Sequence, residues 1–314
     1  MMSAMFEPTD LFEVLLSRDP ATPEMPDVES WWRTYLEAAQ DQAPEVAAVL
    51  GGFAADRLAW AFASGYTAAL DRLLGGPTCR RSLCATEARG AQPSQLECRL
   101  DLDGSGGGRL SGEKSFATLG HLAQELVIVA TTGRDAEGRN QLRVAKIPAD
   151  REGVAFGEAV SPTFVPELPH APLRLHDVRV EPDELLLGDG YLAVLKPFRT
   201  VEDTHVFLAT LGWLTKLARS VSCPPEIVER GLNLIAGLLP IAASPRPLSG
   251  ALHRVLGGAI AAARWHITAL EGSPAWAELP EVTRSRWARD RRLLDVAGTA
   301  RARRLDVARS GSPD

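Results

Sequence analysis

From residue 28 to residue 75, apolar side chains return every three or four positions. Trp31, Trp32, Tyr35 and Leu36 form one such set. After Pro44, Val46, Val49, Leu50, Phe53, Leu58, Phe62 and Leu70 form the next. That spacing predicts helices with one buried face, and Gly75-Gly76-Pro77 closes the block. From Cys79 to Leu187 the period changes. ECRLDLD (Glu97–Asp103) alternates and breaks at the glycine turn GSGGGR (Gly104–Arg109). LVIVAT (Leu126–Thr131) is a short continuous β-rich run. QLRVAKI (Gln141–Ile147) alternates after the turn residues DAEGRN, and LRLHDVRV (Leu173–Val180) alternates again. Short strands separated by turns predict a small β-barrel or sandwich, not βαβ units. From Gly188 the helical pattern returns, punctuated by Pro224-Pro225, Pro240 and the PRP at 245–247, and the closing SGSPD is expected to fray. The pattern predicts an α+β chain, mostly α, in three domains: helical over 1–78, β over 79–187, and a helical bundle over 188–314.

Composition narrows the function. Of 314 residues, 45% are hydrophobic and 24% charged, as in globular proteins generally. A net charge of −6 argues against general nucleic-acid binding, which favours a basic surface. No apolar run reaches the length that spans a bilayer, and the acidic start MMSAMFEPTDLFE lacks the pattern of a signal peptide. Cys79, Cys84, Cys98 and Cys223 have no C-x-x-C spacing, which supports neither zinc nor a disulfide framework. A cytoplasmic protein with reduced thiols and no membrane or nucleic-acid partner is expected.

Four segments carry a resemblance. LSGEKSFATLGHLAQELVIVATTG (Leu110–Gly133) resembles the middle-domain segment of acyl-CoA dehydrogenases, in which G-x-K-x-(aromatic)-x-T-x-G precedes a strand. LHDVRVEPDELLLGDGY (Leu175–Tyr191) is similar to that family's passage from β-domain into C-terminal bundle. CATEARG (Cys84–Gly90) resembles its T-E-P-x-A-G-S-D stretch, and RDRRLLDVAGTARARRLDVAR (Arg289–Arg309) its closing segment. The four fall in family order on a helix–β–helix layout. The resemblance implies FAD held between the β-domain and the bundle, an acyl thioester such as acyl-CoA as substrate, and a glutamate that removes the α-proton while the β-hydride passes to the flavin. It assigns Thr86, Phe116, Thr118 and Thr299 to the cofactor. It also implies an oligomer, either of this chain or with a full-length homologue. A flavin monooxygenase-like use of the same fold, which needs no glutamate base, is a further alternative.

This chain departs from the family at several points. Ala297 stands where the closing segment carries its glutamate, and Ala91-Gln92-Pro93 stands in place of G-S-D. The R-x-x-F-G and Q-x-x-G-G-x-G segments that contact FAD are not found. These losses support a second reading, a flavin-deficient, non-catalytic partner subunit. One branch of the family places its glutamate on the first bundle helix, ten residues before a glycine. Glu202 stands ten residues before Gly212, so the resemblance makes Glu202 the catalytic base. Such a base needs surroundings that raise its pKa toward neutrality. Alternatively, Thr200-Val-Glu-Asp203 reads as a helix N-cap with favourably placed acids, and Pro197 as a residue that bends or interrupts the helix. His205, one turn beyond Glu202, reads as a tuning group or as a helix-face histidine. His121, His170 and His176 read as structural, with no metal site. The arginines from Arg284 to Arg309 read as a solvated helix face or as partners for an anionic cofactor, and the four C-terminal tryptophans as core or interface residues.

Overall fold

The apolar spacing over 28–74 produces three helices: α2 (Val28–Ala39), α3 (Pro44–Ala54) and α4 (Leu58–Leu74). A shorter α1 (Pro8–Ser17) precedes them. These assignments come from a computed structural model, which describes residues 8–76 and 78–310; Pro77 and the tail beyond Ser310, expected to fray, lie outside the described residues. Asp27 starts α2 with a capping box, its carboxylate accepting the Ser30 N–H at 2.8 Å. Trp31 stacks on Trp60 at 5.7 Å and donates its indole N–H to Ser64. Leu36 instead turns to solvent.

The chain divides into two units, one of residues 1–76 with 199–314 and the other of residues 77–198. The helical blocks at both ends of the sequence therefore share one unit. Its later helices are α5 (Lys196–Ser220), α6 (Pro225–Ala242), α7 (Gly250–Glu271), α8 (Glu281–Asp290) and α9 (Gly298–Ser310). From Val206 to Ala218 almost every side chain of α5 is buried, whichever way it points. A helix apolar on all sides belongs at the centre of a bundle. Its neighbours come close enough to require glycine: a Cβ on Gly52 would lie 2.0 Å from the Ala209 carbonyl oxygen, and one on Gly212 would lie 2.4 Å from that of Val49. Gly212 lets α3 and α5 pack backbone to backbone.

The other unit holds β1 (Arg81–Cys84), β2 (Arg99–Leu102), β3 (Gly108–Thr118), β4 (Glu125–Arg134), β5 (Asn140–Pro148), β6 (Val154–Phe156) and β7 (His170–Val180). They form one curled, mixed sheet. β4 pairs with β5 on one edge and with β1 and then β2 on the other; β2, β3, β7 and β6 follow in order. The continuous run in β4 is buried on both faces, whereas β7 alternates between core and solvent. The glycine run at 104–108 is the turn between β2 and β3. Among the described residues no helix is long and apolar enough to cross a membrane.

Candidate functional site

Glu202 and Asp203 sit well inside α5, not at its start. The helix begins at Lys196 after a π-helical turn, Tyr191–Leu195, whose Tyr191 carbonyl accepts the Lys196 N–H, and Pro197 lies at the junction where the π-turn gives way to α-helix. The N-cap reading of Thr200–Asp203 is thereby corrected. The Thr200 hydroxyl pairs with Nε2 of His253 on α7 at 3.2 Å, and Asp189 holds the Leu192 N–H at the entrance to the helical run.

The two adjacent carboxyl groups have different environments. Asp203 is 5% exposed and accepts from Arg301 (2.9 Å) and Arg304 (2.5 Å), both on α9. Arg301 also donates to the Leu294 carbonyl and lies over the Phe207 ring at 5.7 Å. The solvated-face reading therefore fails for these two arginines, whose side chains are turned inward. Burial raises the Asp203 pKa, while the two guanidiniums oppose the rise. Glu202 keeps an edge of its side chain open to solvent, and its carboxyl makes no hydrogen bond or ion pair among the described residues. Desolvation and then the Asp203 charge push its pKa up to about 8, against the pull of Arg199, Arg304 and Arg301. His205 is fully buried, with Nδ1 facing the Val201 carbonyl oxygen at 2.7 Å, and burial lowers its pKa to about 4. It is a neutral core histidine that does not tune Glu202.

In the β-unit three of the assigned residues lie near one another. The Ser115 N–H donates to the Thr86 carbonyl at 2.8 Å, which sets Thr86 beside β3 just before Phe116 and Thr118. Phe116 is 53% exposed, a bare ring on the surface of the unit, and Thr118 is half-buried. Thr118 is in register with His170 on β7, whose ring meets Phe116 edge-on at 6.3 Å; burial holds that histidine's pKa down. The turn that follows needs left-handed backbone at Leu119 (φ 70°) and Gly120 (φ 52°), which accounts for the glycine of the motif. An exposed aromatic ring beside a threonine and strand backbone fits a flat ring system with a polar edge. Ala91-Gln92-Pro93, in place of G-S-D, runs into a short helical turn, Pro93–Gln95. Thr299 is exposed in the first turn of α9.

Sequence reasoning missed the pair that ties this edge together. Lys114 is fully buried and donates to the Glu87 carboxylate and to the Val129 carbonyl, both at 2.6 Å. Glu87 also accepts the backbone N–H groups of Glu97 and Cys98. The signal was present in the quoted motifs T-E and G-x-K, each of which carries one partner. Among the described residues no cluster of His, Cys, Asp and Glu is arranged to hold a metal.

The chain runs from helices through a curled mixed sheet back to helices, with α5 buried inside the helical unit, an order of elements that flavin enzymes of known structure share. The fold is similar to that of an FAD-dependent dehydrogenase (TM-score 0.66, 15% identity, 98% of each chain). It is also similar to FMN-bound TdsC of Paenibacillus sp. A11-2, a dibenzothiophene monooxygenase (0.64, 17%, 96% of this chain and 94% of that one). A third likeness is to butyryl-CoA dehydrogenase of Megasphaera elsdenii (0.61, 14%, 98% and 90%). No protein-family model and no curated protein sequence matches the chain. At these identities the likeness establishes the fold: this chain has the acyl-CoA dehydrogenase architecture.

Proposed function

We propose that the chain is a flavin-dependent oxidoreductase acting on an acyl thioester, with Glu202 as the base. The observation that carries this reading is the contrast between two neighbouring carboxyls. Asp203 is held by two arginines, while Glu202 has no partner and a pKa near working pH. A general base works best when its pKa lies close to the operating pH, and a structural acid on a helix would be paired or fully solvated.

In this reading Glu202 takes the proton from the carbon next to the thioester carbonyl, so that a Cα=Cβ double bond forms as the β-hydrogen leaves with its electron pair. A bound flavin, expected to be FAD, would supply the acceptor for that hydride. Phe116 would offer its exposed face to the ring system, and Thr118 and Thr86 would offer polar contacts beside it. Asp203 keeps α9 against α5 and, through its charge, keeps the Glu202 proton affinity high.

The absorption spectrum of the purified chain tests the cofactor: flavin bands that bleach on adding an acyl thioester support the reading. Glu202→Gln should retain the bands and lose the bleaching. Ala297 and the Ala91-Gln92-Pro93 replacement favour a second reading, a non-catalytic partner of a full-length homologue. A colourless chain that copurifies with such a homologue would support that alternative.

A further inference from the structure

Helices α7 and α9 run antiparallel and touch at two places. A Cβ on Gly257 would lie 3.0 Å from Leu305, and one on Gly250 would lie 3.7 Å from Ala308. Beside these contacts a cleft opens between the two helices, with an empty volume of about 470 Å³, part of it open to solvent. Leu256 and Ile260 line it from α7, Ala302 and Leu305 from α9, and the side chains of Arg301 and Arg304 lie among them. The charges beside these apolar walls do not balance. Arg301 and Arg304, with side chains 14% and 20% exposed, share one carboxylate, that of Asp203. Arg301 has further partners in the Leu294 carbonyl and the Phe207 ring. Arg304 is left short: its Nη1 is shut off from solvent and has no hydrogen-bond partner among the described residues. A buried donor without an acceptor is costly, and more so on a charged group.

We propose that this cleft binds a free carboxylic acid with a short aliphatic chain, its carboxylate on Arg304 and its chain between α7 and α9. A carboxylate meets both deficits at once: it brings the missing negative charge and accepts a charge-assisted hydrogen bond. Asp203 takes its bond from Nη2 of Arg304, which leaves Nη1 for the incoming acid as the guanidinium turns toward the cleft it lines. The walls set the rest of the ligand. Leu256, Ile260, Ala302 and Leu305 offer only methyl and methylene groups, so the tail is apolar. The α7 lining extends from His253 to Ile260, about 10 Å of helix, and a straight chain of about six carbons fits along it. A phosphate would bring charge without a tail, and no hydroxyl side chain lines the cleft to hold its further oxygens. The site uses none of the residues assigned to the flavin and does not depend on Glu202 acting as a base.

Isothermal titration calorimetry of the full chain with sodium hexanoate tests the site. Hexanoate should bind saturably, one per chain. Hexanamide, which lacks the charge, and sodium acetate and inorganic phosphate, which lack the tail, should each bind at least about tenfold more weakly. Ala302→Phe fills the cleft from an exposed position and should remove the binding while leaving the melting temperature unchanged. Arg304→Lys keeps a charge for Asp203, drops Nη1 and should weaken hexanoate by about tenfold or more. The proposal is overturned by a wild type that takes up no hexanoate, or by hexanamide, acetate or phosphate binding as tightly as hexanoate. It is equally overturned by either folded variant binding hexanoate as the wild type does. The four probes are compared on the wild type alone, so that result holds even if a variant does not fold.

Discussion

Asp203 and Arg301 join the second turn of α5 to α9 through an ion pair of 2.9 Å between groups that are 5% and 14% exposed. Arg304 adds a second bond to the other carboxylate oxygen. A single buried acid thus holds the last helix of the chain beside the candidate base. Asp203→Asn removes the charge that both arginines compensate, and breaking a buried pair from one side leaves the other side unpaired. The variant should lose about 3 kcal/mol of stability, read by urea unfolding. A loss within a few tenths of a kcal/mol would show that water already replaces the carboxylate.

The Glu202 carboxyl predicts a pH dependence of definite sign. Its folded pKa of about 8 lies above its ordinary 4.5, so the folded protein holds a proton that the unfolded chain releases. The contribution to stability is full below pH 4.5 and is lost as pH rises through about 8. Glu202→Gln keeps the neutral shape and cannot lose the proton. The difference in melting temperature, variant minus wild type, should therefore grow from pH 5 to pH 9. On the proposed function the same variant loses turnover by roughly 100-fold or more. A melting difference that is flat with pH would mean that the carboxyl is solvated.

How far these features were legible in the sequence depends on what each one rests on. Periodicity and turn residues located α2–α4, β2, β4, β5 and β7, because burial of one face imposes a period on the chain. The strand β3 was harder to see: its Gly112 and its bulges, between Leu110 and Gly112 and between Lys114 and Ala117, break the alternation. The start of α5 is ambiguous in sequence because Pro197 and the acids after Thr200 imitate a cap, while the helix runs on from a π-turn. The Asp203–Arg301–Arg304 and Glu87–Lys114 pairs join residues far apart in sequence: the T-E and G-x-K motifs each carry one partner of the second pair, but no local spacing marks which residues meet. The exposed Trp265 looked the same as the buried Trp213 and Trp287 in sequence, since a tryptophan's surroundings are set by tertiary packing.

The Glu87–Lys114 pair predicts an asymmetry between single and double variants. Lys114→Met strands a carboxylate that still accepts two backbone N–H groups, and Glu87→Gln leaves a fully buried ammonium with neutral acceptors and no compensating charge. Each should cost the β-unit about 3 kcal/mol. The double variant should cost less than the sum of the two, because the residues share one interaction. Chemical denaturation of all four proteins gives the coupling energy, and strict additivity would contradict the pairing.

Lys216 predicts the opposite pH slope to Glu202. Its ammonium lies buried at the end of α5, donating to the Thr22 hydroxyl at 2.8 Å and to the Ala55 carbonyl. Burial lowers its pKa to about 7 from an ordinary 10.5, so the unfolded chain binds the proton more tightly than the folded one. The penalty is full below pH 7 and fades as pH rises toward 10.5. Lys216→Met removes it along with the two hydrogen bonds, whose loss does not depend on pH. The variant should therefore compare more favourably with wild type at pH 6 than at pH 10.

Gly212 carries the last prediction, because the motif that pointed to Glu202 depends on it. A side chain there would drive into the α3 backbone, with Cβ 2.4 Å from the Val49 carbonyl and 3.2 Å from the Phe53 nitrogen. Gly212→Ala should destabilise the helical unit by about 1–3 kcal/mol through overpacking, despite the higher helix propensity of alanine. Gly237, inside α6 with open space around it, is the control. Gly237→Ala should be neutral or stabilising by up to about 1 kcal/mol. If both substitutions behave alike in urea unfolding, the close approach of α3 and α5 is wrong. If they diverge, the ten-residue spacing from Glu202 to Gly212 has a mechanical basis: the glycine fixes how deeply α5 seats against α3, and that depth sets how far the carboxyl two to three turns earlier is removed from water.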